Sequence, residues 1–210
     1  MCIDRVFLIG AGGHGRVVLD ALLESGIPLS CVHVRDKAQH LHGLDFLGCS
    51  IEPFVSTEDV QSEFFHLAIG NGKIRKRLFA ELTALGAIPL SVTHPAASIS
   101  RLSTIGAGFF GAAKAVVAPA TVLGVGVIVN HGAVVDHDCV LGDFSHIAPN
   151  ATLGGGVRVG AGVLIGAGAN ILPRVVIGAD SVIGAGAVVT ADVEAGVTYV
   201  GIPAKKVLGS

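Results

Sequence analysis

The sequence predicts two domains of different kinds: a small α/β domain over residues 1–95, and a parallel β-helix with a C-terminal tail over residues 96–210. Three observations lead to this prediction. The first half alternates strand-like and helix-like segments around a glycine-rich turn. The second half carries an aliphatic residue at almost every sixth position. The chain of 210 residues also has 30 glycines and only 14% charged residues, which is typical of a repeated core of small and aliphatic side chains.

Short apolar runs and helical spacing define the elements of the first domain. Strands are expected over residues 6–9, 31–34, 65–69 and 89–92, and helices over residues 16–25 and 73–85. Gly26 and Gly86 follow the two helical patterns and act as stop signals. Strands that alternate with helices in this way predict a small parallel sheet flanked by helices.

A glycine-rich turn joins the first strand to the first helix. Residues 10–15 read Gly-Ala-Gly-Gly-His-Gly and match G-x-G-x-x-G, and Asp36 ends the second strand. Glycines let such a turn approach a phosphate, and helix N–H groups favour the anion. The motif alone favours NAD, but a dinucleotide fold needs two such halves and residues 1–95 provide room for one. The sequence therefore predicts a Rossmann-like domain for a single nucleotide, with a purely structural turn as the alternative.

The second domain follows a period of six. Steps of six from Ile99 to Val189 give sixteen positions, fifteen of them aliphatic, with Gly111 as the exception. The next residue is mostly glycine or alanine. This pattern predicts one short strand per face of a triangular prism, with a small residue where the backbone turns the corner. Three hexads form a coil, coils pair as parallel strands about 4.8 Å apart, and smooth apolar faces predict association around a threefold axis.

Several segments together resemble a known family. They are FLIGAGGHG (7–15), AIGN (68–71), VTHP (92–95), VVDHDCVLGDFSHIAP (134–149) and VGIPAKK (200–206). With the hexads, they resemble the left-handed β-helix acetyltransferases of bacterial sugar biosynthesis. The most similar branches are the PglD-like nucleotide-linked 4-amino-sugar N-acetyltransferases and the NeuD-type sialic acid O-acetyltransferases. The resemblance implies left-handed coils, a homotrimer, acetyl-CoA as co-substrate and no metal.

The resemblance also implies where the nucleotide-sugar lies. The matching positions are Gly12, Gly13, His14, Asp36 and Gly70. Relatives often carry two acidic residues after the second strand, but Arg35 takes the first of these places. The nucleotide base therefore stays open among UDP, dTDP and GDP.

The repeat contains a histidine beside a carboxylate. Acetyl transfer needs a base for the proton of the attacking group; imidazole titrates near neutrality, and a carboxylate stabilises the cation that forms. His137 and Asp138 supply both groups, and the resemblance implies that His137 is the catalytic base. The resemblance also implies that Asp138 raises the basicity of His137, but Asp136 is nearby and the sequence does not decide which acid orients the ring. A structural histidine at a subunit interface is the alternative reading of His137.

Three further positions are implied to contact acetyl-CoA: His146, Ala167 and Ala185. Cys139 lies four residues after the aliphatic Val135. At that place in the hexad it is expected to point inward and not to act as a nucleophile.

The expected function is acetyl-CoA-dependent N-acetylation of the 4-amino group of a nucleotide-linked 4-amino-4,6-dideoxy sugar. O-acetylation of sialic acid or another sugar is the alternative, since one base serves an amine or a hydroxyl. A trimeric zinc hydratase that uses His131, His137 and His146, and a non-catalytic nucleotide-sugar-binding trimer, are weaker alternatives.

Composition restricts the remaining partners. A net charge of -2 without a basic tract argues against nucleic acid. The apolar stretches are glycine-rich and shorter than the roughly 20 residues needed to span a bilayer, so no membrane insertion is expected. The four cysteines lack CxxC spacing, which favours a reduced, cytoplasmic protein without a disulfide framework.

Overall fold

The computed structural model describes residues 3–54 and 60–207. The chain separates into two compact units, Met1–Pro95 and Ala96–Ser210. Among the described residues, no helix is long and apolar enough to cross a membrane. Cys31, Cys49 and Cys139 are free thiols, and Cys2 lies outside the described residues.

The first unit is built on a five-stranded parallel sheet in the order β5-β2-β1-β6-β7. Its central strand β1 is buried along its whole length. Two 3₁₀ turns, Leu29–Cys31 and Gln39–Leu41, lie on either side of β2. The elements are β1 (Val6–Ile9), α1 (Gly13–Glu24), β2 (Val32–Asp36), β3 (Asp45–Phe46), β4 (Cys49–Ser50), β5 (Glu52–Pro53), β6 (Phe64–Leu67), α2 (Gly72–Ala84), β7 (Ile88–Pro89) and β8 (Val92–Thr93).

The strand predicted over residues 89–92 is wrong, because two short strands, β7 and β8, occupy this region. The Leu90 N–H still donates to the Phe65 carbonyl, at 2.8 Å. The Leu90 carbonyl, however, accepts from Nδ1 of the buried His66 at 2.8 Å, so a side chain takes the place of the next ladder bond. The antiparallel hairpin of β3 and β4 was not expected either. It turns through Leu47 at φ 53° and Gly48 at φ 90°, and a leucine gives no sequence signal for a left-handed turn.

The second unit is the predicted parallel β-helix. Residues 98–189 are all described and contain sixteen two-residue strands in a strict period of six. They are β9 (Ser98–Ile99), β10 (Thr104–Ile105), β11 (Phe110–Gly111), β12 (Val116–Val117), β13 (Val122–Leu123), β14 (Ile128–Val129), β15 (Val134–Val135), β16 (Val140–Leu141), β17 (His146–Ile147), β18 (Thr152–Leu153), β19 (Arg158–Val159), β20 (Leu164–Ile165), β21 (Asn170–Ile171), β22 (Val176–Ile177), β23 (Val182–Ile183) and β24 (Val188–Val189). A final antiparallel pair, β25 (Thr198–Val200) and β26 (Lys205–Lys206), follows.

The strands stack into three faces. Face A contains β10, β13, β16, β19 and β22, face B contains β11, β14, β17, β20, β23 and β25, and face C contains β9, β12, β15, β18, β21 and β24. Partners lie 18 residues apart, as in the pairing of Val116 with Val134, so one coil holds three hexads. The chain runs from face C to face A to face B, and each change of face is a corner.

The core is a column of small and aliphatic side chains. The aliphatic residue of a hexad and the residue four positions later both point inward, as Val135, Cys139 and Leu141 show with exposures of 1% or less. Gly111, the exception to the aliphatic rule, leaves space that Phe109 of the preceding hexad is placed to fill, since Phe109 is 1% exposed in the same core. Packing of these residues along the axis buries apolar area in every coil.

The corners correct one detail of the sequence interpretation. The left-handed backbone lies three residues after the aliphatic position, as at Asp138 (φ 61°) and Phe144 (φ 57°), and not at the glycine that follows the aliphatic residue. That glycine is required by the next coil. A Cβ on Gly160 would lie 2.5 Å from the backbone nitrogen of Ala179. The small residue therefore permits close stacking of coils, while the turn is made elsewhere.

Candidate active site

His137 lies at the corner between β15 and β16, where face C meets face A. Its Nδ1 lies 2.7 Å from Oδ2 of Asp138. The backbone N–H of His137 donates to Oδ1 of Asp136 at 2.8 Å. Asp138 therefore orients the ring, and Asp136 fixes the main chain beneath it. Both His137 and Asp138 are about two-thirds exposed, at 62% and 66%.

The two carboxylates favour the protonated form of the ring. The hydrogen bond to Asp138 raises the pKa of His137 above its usual 6.5, and the charge of Asp136 adds to this effect. With Nδ1–H directed at Asp138, the neutral ring carries its lone pair on Nε2. This nitrogen can accept a proton from a group bound at the corner.

A second polar cluster lies along face B and the corner between faces B and C. The side-chain nitrogen of Asn130 lies 3.2 Å from Nε2 of His146, and the Asn130 oxygen accepts from the backbone N–H of His131 at 2.9 Å. Asn130 is 8% exposed. Asn130 was not predicted from the sequence, although a signal was present: Asn130-His131 repeats the pattern of Asp136-His137 one hexad earlier.

Ala167 and Ala185 continue this second corner. Both are exposed, and they stack one coil apart, with the Gly186 N–H donating to the Ala167 carbonyl at 2.8 Å. The Gly168 N–H in turn bonds the Pro149 carbonyl at 2.9 Å, which ties this edge to the preceding coil. The three positions expected to contact acetyl-CoA, including His146, therefore follow one side of the β-helix. His137 and Asp138 lie at a different corner, and a single chain does not bring the two groups together.

The glycine-rich turn contains glycines of two kinds. Gly10 has φ +112°, and a Cβ there would lie 2.9 Å from the Ala68 carbonyl oxygen. A Cβ on Gly15 would lie 2.3 Å from the Gly10 oxygen, so these two glycines are required by packing. A Cβ on Gly12 or Gly13 would meet nothing within 4 Å. These two predicted substrate positions are exposed at the N-terminus of α1, where an anion can approach.

Asp36 holds the loops beside this turn. Its Oδ2 accepts from the Ala11 N–H and its Oδ1 from the Ala38 N–H, both at 2.8 Å. His14 is half-buried in the first turn of α1. Arg16, which the sequence analysis missed, is exposed in the same turn, with its guanidinium carbon 5.0 Å from the centre of the Phe46 ring. The first turn of α1 therefore carries a cationic side chain as well as the open glycines.

Gly70 lies in the loop between β6 and α2. The buried Arg75 donates from Nη1 to the carbonyls of Ile69 (2.9 Å) and Gly70 (2.7 Å). Burial lowers the pKa of Arg75 to about 10. Asn71 caps α2 by accepting from the Ile74 N–H at 3.1 Å. These bonds fix the loop at the carboxyl ends of the parallel strands, the usual position of ligands in open α/β sheets.

A cavity of about 210 Å³ opens at this edge of the sheet. Its walls include the apolar side chains of Phe54, Ile69 and Leu78, and Asp36 and Lys37 also line it. Nζ of Lys37 lies 4.4 Å from the centre of the Phe54 ring. The cavity can receive a flat ring of the size of a nucleobase.

Arg35 does not line this cavity. Its Nη2 pairs with Oε2 of Glu52 at 2.7 Å, and its guanidinium carbon lies 5.3 Å from the centre of the Phe7 ring. Within residues 3–54 and 60–207, no group of three or more His, Cys, Asp or Glu side chains could hold a metal ion. His131 and His137 occupy successive corners of one coil, between faces B and C and between faces C and A.

Comparison with known proteins identifies both units. Residues 5–82 match the family described as the PglD N-terminal domain, and residues 156–191 match the bacterial transferase hexapeptide family. No curated protein sequence matches the chain.

Solved structures are similar over almost the whole length. The acetyltransferase domain of PglB from Neisseria gonorrhoeae FA1090 is 35% identical, covers 97% of this chain and 100% of its own, and superposes with a TM-score of 0.88. PerB from Caulobacter crescentus, in complex with CoA and GDP-perosamine, is 32% identical, covers 98% of each chain and has a TM-score of 0.89. WeeI from Acinetobacter baumannii AYE is 29% identical, covers 97% of this chain and 99% of its own, and has a TM-score of 0.82.

Proposed function

The chain belongs to the family of left-handed β-helix sugar N-acetyltransferases with a PglD-type N-terminal domain, and from this we propose its reaction and its substrate. The enzyme transfers the acetyl group of acetyl-CoA to the 4-amino group of a nucleotide-linked 4-amino-4,6-dideoxy sugar. The observation that carries this proposal is the pair of His137 and Asp138, whose Nδ1 and Oδ2 atoms lie 2.7 Å apart. The first unit of the same chain also has a cavity that can receive a nucleobase.

In the proposed mechanism, the neutral sugar amine attacks the acetyl carbonyl of the thioester. A C–N bond forms, and Nε2 of His137 accepts the proton that the nitrogen loses. The tetrahedral intermediate then breaks its C–S bond, and His137 returns the proton to the departing CoA thiolate. Asp138 holds Nδ1 and stabilises the imidazolium between these two steps.

We propose that a backbone N–H beside the His137 ring stabilises the oxyanion of the tetrahedral intermediate. Gly155 is the residue one coil after His137, and its backbone lies against the ring edge that carries Nε2. An N–H at such a place can donate to the carbonyl oxygen as negative charge develops on it. The mechanism needs no covalent acyl-enzyme. Cys139 is unsuited to that role because it is fully buried, and burial raises the pKa of its thiol.

The nucleotide-sugar is proposed to lie along the first unit. Gly12 and Gly13 expose the N-terminus of α1, and Arg16 adds a cation, so a diphosphate is favoured there. His14 and Gly70 border this edge, and the base is proposed to enter the cavity beside Asp36. GDP-linked sugars are the first to test, because the Caulobacter relative was crystallised with GDP-perosamine.

A homotrimer is proposed because the predicted site residues lie at two different corners of the β-helix. His137 and Asp138 lie at one corner of the prism, while Asn130, His146, Ala167 and Ala185 follow another. Threefold association would set the first group of one protomer against the second group of its neighbour. It would also cover apolar surface, since Val122, Val140 and Val176 point outward from face A with 36–44% exposure. A cytoplasmic location is also proposed, since the described cysteines are free thiols.

The test is release of CoA thiol from acetyl-CoA in the presence of UDP-, dTDP- and GDP-linked 4-amino sugars. Wild type is expected to turn over one of them, and His137→Ala to lose on the order of 10²-fold or more in kcat. His40→Ala, an exposed histidine of the first unit outside the proposed machinery, is the matched control. Absence of turnover across the panel, with turnover of sialic acid or another free sugar, would replace N-acetylation by O-acetylation.

A further inference from the structure

The ring of His137 rests on a glycine of the next coil. A Cβ on Gly155 would lie 2.6 Å from both Cε1 and Nε2 of His137, and 3.2 Å from its Nδ1. Atoms in proteins do not approach a Cβ this closely. The imidazole therefore occupies the space that any side chain at residue 155 would need.

The backbone itself does not require a glycine at this place. Gly155 has no left-handed φ, unlike its neighbour Gly156 at +73°. The same hexad position elsewhere takes three prolines, so φ near about −65° suits it. Across the sixteen hexads, this position holds Arg101, Ala107, Ala113, Pro119, Val125, His131, His137, Asp143, Pro149, Gly155, Ala161, Ala167, Pro173, Ala179, Ala185 and Ala191. Gly155 is the one glycine in the series, and it is the one that follows His137 by a single coil.

We propose that Gly155 is a positioning residue whose missing side chain provides the seat for the His137 imidazole. This inference rests on the proposed function, in which His137 is the base. Asp138 holds the ring at Nδ1, and the Gly155 backbone supports the edge that contains Cε1 and Nε2. Contact on both sides fixes the direction of the basic nitrogen, although the histidine side chain is 62% exposed.

A methyl group at residue 155 would turn the ring away and leave the fold intact. The atoms it meets are the free end of one side chain, which can rotate, and no backbone atom lies as close. Rotation would lengthen the 2.7 Å hydrogen bond between Nδ1 and Asp138 and misdirect Nε2. A displacement of about 1 Å at a reacting group can cost on the order of 10²-fold in rate.

The experiment compares Gly155→Ala with wild type in three measurements: kcat and KM, the melting temperature, and the pKa of His137 from NMR of ring-labelled histidine, assigned with His137→Asn. The seat predicts a kcat lower by on the order of 10²-fold with KM and melting temperature nearly unchanged. It also predicts that the His137 pKa falls toward 6.5, because the ring leaves Asp138 while Asp136 keeps its bond to the backbone. Pro173→Ala changes the same hexad position one coil further on. It should leave kcat, KM and the His137 pKa as in wild type, while its melting temperature falls slightly because the unfolded chain gains conformational freedom.

A second comparison separates the seat from other roles of Gly155. In a His137→Ala background, Gly155→Ala should reduce the residual activity no further, since no ring remains to be displaced. A lower kcat with an unchanged His137 pKa would overturn the proposal, because the loss would then come from a clash of the new methyl group with the thioester and not from displacement of the ring. An unchanged kcat in the active enzyme would overturn it as well. The pKa measurement needs no substrate, so a lowered pKa would uphold the seat even if the proposed reaction were wrong.

Discussion

The carboxylates beside His137 set the pH range in which the base can work. Because the hydrogen bond to Asp138 raises the pKa of His137, the ring stays protonated to a higher pH than an ordinary histidine and cannot accept a proton there. We expect kcat/KM to fall on the acid side with an apparent pKa above 6.5. Asp138→Asn should shift this acid limb to lower pH and reduce the plateau by on the order of 10²-fold, as measured in a pH–rate profile.

Asp136→Asn is the matched control for that profile. The amide oxygen can still accept the backbone N–H of His137, so the corner should keep its shape while one negative charge is lost. The acid limb should move less than in Asp138→Asn, because Asp136 acts on the ring through charge alone. An acid limb that stays in place in Asp138→Asn would exclude His137 as the titrating base.

His66 makes the first unit sensitive to acid. Burial lowers its pKa to about 4, with a smaller contribution from the charge of Arg75. The unfolded chain therefore binds a proton near pH 6.5 that the folded chain accepts only near pH 4, and stability falls as the pH drops through this window. The loss at pH 4 reaches about 3 kcal/mol for a shift of this size. Urea unfolding at pH 7 and pH 5 should show about 2 kcal/mol of this loss, because pH 5 lies only part of the way through this window.

His66→Asn is the control for the acid effect, since the asparagine amide can replace Nδ1 as the donor to the Leu90 carbonyl without titrating. The difference in stability between pH 7 and pH 5 should be smaller in this variant. Equal pH dependence of the two proteins would mean that other groups carry the acid sensitivity.

Sequence reasoning found the chemical pairs that are adjacent in the chain and missed those made by folding. His137 and Asp138 are neighbours, so their hydrogen bond could be expected. Asn130 contacts His146, which lies 16 residues later in the chain. Gly155 contacts the His137 ring only because one coil of the β-helix contains 18 residues. The choice between Asp136 and Asp138 also needed geometry, since Asp138 contacts Nδ1 of the ring whereas Asp136 accepts from the backbone N–H of His137.

The coils of the β-helix depend on two glycine positions for different reasons. Gly160 follows an aliphatic residue, and a Cβ there would lie 2.5 Å from the Ala179 nitrogen. Gly168 makes a left-handed corner at φ +67°, with nothing within 4 Å of a Cβ. Gly160→Ala must separate two backbones and should cost about 3 kcal/mol. Gly168→Ala should cost only about 1 kcal/mol, since alanine already adopts such a φ at Ala120.

Melting temperatures or urea midpoints of the two variants measure this difference directly. Each variant adds one methyl group at a corner, so the pair controls for composition and exposure. A larger loss in Gly168→Ala than in Gly160→Ala would show that backbone conformation, and not the spacing of coils, limits the repeat.

The elements of the two units differed in how far sequence could predict them. Every hexad repeats the same rule, so sixteen strands could be placed from one period. In the first unit each strand is a separate inference, and side chains can change the outcome. The strand predicted over residues 89–92 was wrong because the His66 imidazole takes the Leu90 carbonyl. A period of six also predicts which residues share a corner, but not which corner faces a neighbouring chain.

The proposed trimer can be tested because it divides each active site between two protomers. If each active site combines the His137 corner of one protomer with the Asn130–His146 edge of the next, two inactive variants can complement each other. We expect His137→Ala and the double variant Asn130→Ala, His146→Ala each to be nearly inactive alone. After unfolding and refolding of an equal mixture, random threefold assembly gives both intact halves at about one site in four, so about a quarter of wild-type activity should return.

Refolding each variant separately controls for damage during the procedure. Sedimentation of the mixture should show a trimer. A trimer without recovered activity would mean that each site is built within one chain, and the two corners would then need separate roles.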